Sequence, residues 1–252
     1  MRVARGDGHG TAFRTYALPA TVIFAMQETY GHASLFDRSS VPRTPAVMDP
    51  DWLRWARRIH ALAQNGSAYT EGVFDRERYA ELKTIAAAMM AAYGDTAPER
   101  VLGLWAMEEG YATPKVDVRA AVFRGGEILL VRERSDGRWA LPGGWADVGD
   151  TPAQCVEREV LEEAGLTVRA THLVALHDGS RNGHPPRPYH VYKLFFLCEL
   201  VGGVATTGIE TDEVAFFAED GLPPLSLGRV SEAQVALCFQ HMRDPAMPTE
   251  FD

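Results

Sequence analysis

From Trp52 the apolar positions Trp52, Trp55, Ile59, Leu62 and Ala63 recur at intervals of three and four, and the run ends at Asn65 and Gly66. That spacing predicts an amphipathic helix stopped by its Asn-Gly pair. A second helix is expected from about Asp75 to Tyr93, with Tyr79, Leu82, Ile85, Met89 and Tyr93 on one stripe. Joined by a loop, the two form a helical hairpin whose aromatic and methionine side chains pack in a core or a dimer. The stretch GDTAPER then interrupts the pattern and marks a linker.

Beyond YATPK the period changes to two. VDVRAAVF, a turn at RGG, and EILLVRER read as a β-hairpin, closed by Ser135 to Gly137. THLVALHD and HVYKLFFLCEL read as strands flanking the polar, proline-rich loop GSRNGHPPRP, EVAFFAED as a further strand, and SEAQVALCFQHMR as a closing helix capped by Ser231. Strands and helices interleave from residue 116 onward, which predicts a layered α/β domain. The expected organisation is a mobile tail over 1–47, translated from a start upstream of the functional one, a helical hairpin over 48–95 and a linker over 96–115. The α/β domain follows over 116–243, with a terminal tail over 244–252.

Length and composition narrow the classes. With 252 residues, 46% of them hydrophobic, the chain has material for a substantial core, and a net charge of −9 argues against duplex nucleic acid as a partner. Any phosphate-bearing ligand needs local help, such as a metal. Cys155, Cys198 and Cys238 are odd in number and lack the spacing of zinc or redox sites, so they read as buried thiols in a reducing, cytoplasmic compartment. YALPATVIFAM is too short for a membrane span, and the segment before it lacks a clear signal cleavage site.

The chemistry concentrates in GGWADVGDTPAQCVEREVLEEAGL, residues 143–166. Thr151 and Gln154 have capping-box spacing with Pro152 at the first helical position, and Gly165 supplies the stop. At about 100° per residue, Glu159, Glu162 and Glu163 fall within roughly one third of the circumference, whereas Glu157 points elsewhere. Val160, Leu161 and Ala164 are expected on the packed side, and Arg158 lies one turn before Glu162, where it can orient that carboxylate. A solvated acidic face is the ordinary meaning of such a run, but ordinary faces intersperse lysine for pairing, and here Arg158 is the one cation. Crowded carboxylates favour a hard divalent ion, Mg²⁺ or Mn²⁺. Gly143 and Gly144, leading to a helix N-terminus, offer backbone N–H groups to a phosphate.

These residues resemble the Nudix hydrolase box, G-x5-E-x7-R-E-U-x-E-E-x-G-U with U a bulky aliphatic. Gly144, Arg158, Glu159, Val160, Glu162, Glu163, Gly165 and Leu166 fit at the correct spacing, and Asp150 stands where the box has its first glutamate. The segment from Trp52 to Tyr93, GYATPKVDVRAAVF and FFAEDGLPPLSLGRV resemble a subgroup acting on nucleoside diphosphates linked to another moiety.

The resemblance implies a Nudix fold, an α/β/α sandwich with a mixed β-sheet, preceded by a small α-helical N-terminal domain. It implies a pyrophosphohydrolase dependent on Mg²⁺ or Mn²⁺ that splits a small-molecule nucleotide substrate, such as ADP-ribose, CDP-choline or a UDP-linked compound. Glu159 and Glu163 become the principal metal ligands and Glu162 an auxiliary ligand or water-orienting base, while Arg158 holds the carboxylates. A further acid from outside the box is expected from Glu210 or Glu213, with Glu213 preferred. Gly143, Gly144, Arg181 and His190 are the candidate substrate-binding residues. Two other readings stay open, a non-catalytic nucleotide-binding module on the same fold and a sanitising nucleoside triphosphate pyrophosphohydrolase. The helical hairpin is expected to form a homodimer.

Overall fold

The structure is a computed structural model that describes residues 49–94, 96–185 and 187–252. The expected tail over residues 1–47 lies outside the described residues.

Three helices open the described chain, α1 (Asp51–Tyr69), α2 (Val73–Gly94) and α3 (Pro98–Trp105). The expected linker therefore carries a helix of its own, and Val101 and Trp105 of α3 are buried with Leu53 and Ala56 of α1 and Ala86, Ala87 and Met90 of α2. Asn65-Gly66 does not end α1. A Cβ on Gly66 would lie 2.2 Å from the Tyr79 ring, so this glycine admits Tyr79 where the two helices cross. The packed faces also differ from the predicted stripes. Alanines line the contact and let the helices approach closely, leaving Trp55, Leu62, Leu82, Ile85 and Tyr93 exposed.

The rest is a seven-stranded mixed sheet between two helices. Its strands are β1 (Lys115–Arg124), β2 (Glu127–Glu133), β3 (Trp139–Ala140), β4 (Leu166–Asp178), β5 (Val191–Gly203), β6 (Thr211–Phe217) and β7 (Glu250–Phe251). Helix α4 (Pro152–Ala164) covers one face and α5 (Glu232–Arg243) the other. Strand β7 pairs in parallel with β4, so the expected terminal tail contributes a strand to the sheet.

The junction of β1 and β2 positions the site. The two strands pair only at Phe123 and Arg124, next to their turn, after which β2 pairs with β6 and β1 with β5. The vacated edge of β1 is taken by the glycine turn: Ala120 donates to Pro142 O at 2.9 Å, Val118 to Gly144 O at 2.8 Å, and Ala146 donates back to Val116 O at 2.9 Å. Gly143 (φ 144°) must be glycine, since a Cβ would sit 2.0 Å from Val118 O.

Candidate active site

Helix α4 begins with the capping box that its sequence specifies. Thr151 Oγ1 accepts from the Gln154 N–H, and Gln154 Oε1 accepts from the Thr151 N–H. Gly165 ends the helix in the left-handed conformation (φ 68°). Cys155, Val156, Val160 and Ala164 pack onto the sheet, while Leu161 is exposed. The glutamates divide accordingly. Glu163 is only 7% exposed and Glu159 is largely covered, whereas the Glu162 side chain is 56% exposed. Glu157 turns away and accepts from the Ala170 N–H at 2.9 Å.

Glycine serves the carboxylates directly. The Gly143 N–H donates to Glu163 Oε2 at 2.8 Å, so this amide is already engaged and is not the free phosphate donor expected of it. At Gly144 a Cβ would meet the Glu159 carboxyl group at 3.1–3.3 Å, so the missing side chain makes room for Glu159. Burial pushes the Glu163 carboxyl up to about 7, against the opposing pull of Arg119 and the Gly143 N–H. Burial likewise raises Glu159, with Arg158 opposing and Glu162 adding to the rise.

Arg158 faces four carboxylates, Asp147 at 2.9 Å, Glu159 and Glu162 at 3.1 Å, and Asp150 at 3.5 Å. Thr151 caps the helix, and Asp150 reaches Arg158 instead.

Beneath this surface lies a charge network that periodicity conceals. Buried Asp117 accepts from Arg119 Nη2 at 2.9 Å and from Lys193, and Arg119 Nη1 also donates to Leu141 O at 3.1 Å, fixing the start of the glycine turn. Despite burial, Arg119 and Lys193 hold Asp117 below its usual value, and burial brings Lys193 down to about 8. Arg119 also acts electrostatically on Glu163 and on Glu133, a carboxylate 2% exposed and paired with Arg229 at 2.7 Å. Burial raises the Glu133 carboxyl, with Arg229 and Arg119 opposing. Sequence reading missed all of these residues. Their one signal was charge inside apolar strands, in VDVRAAVF and VYKLFF.

Glu213 stands elsewhere. Leu129 and Val131 of β2 face α4, whereas Ile128 and Leu130 face α5. Arg132 and its ladder partner Glu213 therefore point to the α5 side, where they pair at 2.6 Å. The α4 glutamates lie on the opposite face. Glu210 is electrostatically closer to the network, since its charge acts on Glu133.

Arg181 and His190 line a cleft of about 480 Å³ between the helical region and the sheet, with Arg54, Arg58, His60, Trp105 and Lys115 among its other walls. His60 stacks on Trp105 at 3.9 Å between ring centres, and His190 Nε2 lies 3.0 Å from Asp178 Oδ1. Lys115 is three residues along β1 from Val118, which holds Gly144. At the rise of an extended strand those two residues are about 10 Å apart.

Arg158, Glu159, Glu162 and Glu163 at box spacing on a helix packed against a glycine turn place this chain in the Nudix hydrolase family of pyrophosphohydrolases. The NUDIX domain matches residues 113–236, and a UDP-X-like, N-terminal oligomerisation domain matches residues 50–105. The putative ADP-ribose pyrophosphatase YjhB of Bacillus subtilis is 48% identical over 201 residues, covering 80% of this chain and 97% of its own length. An ADP-ribose pyrophosphatase of Streptococcus suis superposes with a TM-score of 0.52 at 46% identity, over 56% of this chain and all of that one. A UDP-X diphosphatase structure gives 0.52 at 32% identity, over 80% of this chain and 98% of that one.

Proposed function

We propose that the protein hydrolyses the diphosphate bond of a nucleoside diphosphate linked to a second moiety, releasing a nucleoside monophosphate and the phosphorylated moiety. ADP-ribose is the first substrate to test, with CDP-choline and UDP-linked compounds beside it, because relatives of high coverage are named for ADP-ribose and UDP-X. The observation that carries this reading is the pair Glu159 and Glu163, desolvated together against the Gly143-Gly144 turn.

That pair fits a hard divalent cation. Both oxygen donors are pushed toward protonation by burial, so a cation between them restores what desolvation takes away. Among the described residues no group of three or more His, Cys, Asp or Glu side chains forms a metal cage. Mg²⁺ commonly uses one or two carboxylates and completes its shell with water and substrate phosphate, so this donor set suits it. Glu159 and Glu163 are the ligands in this reading, with Glu162 auxiliary. Bound Mg²⁺ or Mn²⁺ supplies charge neutralisation on the diphosphate and a more acidic water.

The chain's own groups do the rest. Arg158 orients Glu159 and Glu162. Water adds to one phosphorus, the bridging P–O bond breaks with its electron pair leaving on the departing phosphate, and exposed Glu162 takes the water's proton. Arg181 and His190 bind the nucleotide or its linked moiety in the cleft.

Replacing Glu159 by Gln tests the assignment, with an expected loss of metal-dependent monophosphate release of ~100-fold or more. Unchanged turnover would overturn it. A panel of diphosphate-linked nucleotides and triphosphates, assayed with and without metal, separates this activity from triphosphate sanitising.

The exposed apolar residues of α1 and α2 support a homodimer through the helical region, which light scattering reads directly. Three buried free thiols suit a reducing, cytoplasmic setting. No described helix is long and apolar enough to cross a membrane.

A further inference from the structure

We propose that Gln234 is a positioning residue for this reaction, because by donating to one ring nitrogen of His177 and one of His184 it sets the β4–β5 loop that lines the cleft. The kinetic part of this inference rests on the function proposed above, and the geometric part stands without it.

Gln234 sits in the first turn of α5 and is buried. Its Oε1 accepts from the Ser231 N–H at 3.0 Å, which leaves both hydrogens of Nε2 to donate. Nε2 lies 3.1 Å from His184 Nε2 and 3.4 Å from His177 Nδ1. The far nitrogen of each ring decides its tautomer. His184 Nδ1 is 2.7 Å from Leu227 O, an atom that can only accept, so Nδ1 carries the hydrogen and Nε2 is bare. His177 Nε2 is 3.1 Å from the Glu250 carboxylate, so Nε2 carries the hydrogen and Nδ1 is bare. One amide thus donates to two imidazoles, and a proton added at either inner nitrogen would face an N–H donor. Burial, with Lys193 and Arg187 nearby, keeps the His184 pKa down at about 4.

The clamp controls a seam. His177 stands at the end of β4, and His184 lies within the segment that leads to His190. Asp178 gathers the same segment, accepting from the Ser180 N–H at 2.8 Å and lying 3.0 Å from His190. Backbone carbonyls of this segment hold the helical region. Ser180 O accepts from the Asp49 N–H at 3.0 Å, Arg187 O from Arg57 at 2.8 Å, and Pro188 O from the Trp105 indole at 3.2 Å. Trp105, Arg181 and His190 all face the cleft. Freeing His184 therefore loosens the cleft wall without touching the α4 glutamates.

The test uses the full-length protein labelled with ¹⁵N. Long-range imidazole spectra at neutral pH should show His184 as the Nδ1–H tautomer and His177 as the Nε2–H tautomer. Gln234→Glu keeps the acceptor that caps α5 while replacing the donor with an acceptor, so it should fold and alter the protonation of at least one of the two rings. Gln234→Leu removes the clamp outright. In both variants KM for ADP-ribose, or for whichever panel compound the wild type hydrolyses, should rise ~10-fold, with kcat within about twofold. A wild-type His184 bearing its hydrogen on Nε2 overturns the inference, as does wild-type KM in a folded Gln234→Glu protein. If no diphosphate substrate is hydrolysed by the wild type, the proposed function fails, and the ring spectra alone then decide the clamp.

Discussion

The Gly143 amide donates to Glu163 Oε2 at 2.8 Å, which ties the strand-like glycine turn to the acidic helix through one buried bond. The turn is thus part of the apparatus that holds the carboxylates.

The two glycines should respond differently to alanine. Gly143→Ala drives a methyl group into the backbone at Val118, so the fold itself should suffer, read as a large drop in melting temperature. In Gly144→Ala the nearest atoms to the added methyl group belong to the Glu159 carboxylate, and the fold should survive while activity falls ~10-fold or more. Equal loss of melting temperature in both variants would contradict this division.

Glu163→Gln keeps an oxygen to accept from Gly143 and removes a buried charge. Raised to about 7, the Glu163 carboxyl costs the fold stability as pH rises from its unfolded value of 4.5 through 7. At pH 8 without divalent ions the variant should resist urea better by about 1–3 kcal/mol, while binding metal poorly. A variant less stable than wild type under those conditions would show that the ionised carboxylate is well supported.

The same variant exposes an opposite dependence. His184 is depressed to about 4 from 6.5, so between those values the unfolded chain takes up a proton that the native state refuses. In Glu163→Gln protein, which lacks the most strongly raised of the opposing carboxylates, the His184 contribution should pull urea midpoints down as pH drops from 6.5 toward 4, against the smaller opposite pull of Glu159 and Glu133. His184 alone contributes up to ~3 kcal/mol to that fall. Imidazole ¹⁵N shifts showing His184 already protonated in the native protein at about pH 5.5 would overturn this assignment.

Arg119→Met leaves Asp117 buried with Lys193 as its remaining ion-pair partner and releases Leu141 O. Removing one member of a buried ion network costs about 3–5 kcal/mol, so a marked loss of stability is expected in chemical denaturation. A change below ~1 kcal/mol would mean that Lys193 alone satisfies Asp117.

The residues that announced themselves were those whose chemistry is local. Thr151, Gln154 and Gly165 bound α4 through contacts within a turn, and the glutamate spacing follows from helical geometry alone. What stayed hidden depends on distant partners. Asp117 and Arg119 alternate with apolar residues along β1, and nothing in that local pattern shows that the glycine turn and β5 flank them or that their charges survive burial by pairing with each other and Lys193. Gly66 read as a stop because nothing nearby in the chain reveals Tyr79. Glu213 read as a site residue because its strand was recognisable, whereas the face it occupies is fixed by register with β2.

The seam between helices and sheet carries one more consequence. Tyr189, which donates its hydroxyl to Leu104 O at 2.8 Å, joins Ser180, Arg187 and Pro188 in fastening the loop to the helices. Under the proposed function, helical mutations that reshape self-association would tug on the cleft walls assigned to the nucleotide. In divergent descendants of this architecture, oligomeric habit and ligand preference should drift together.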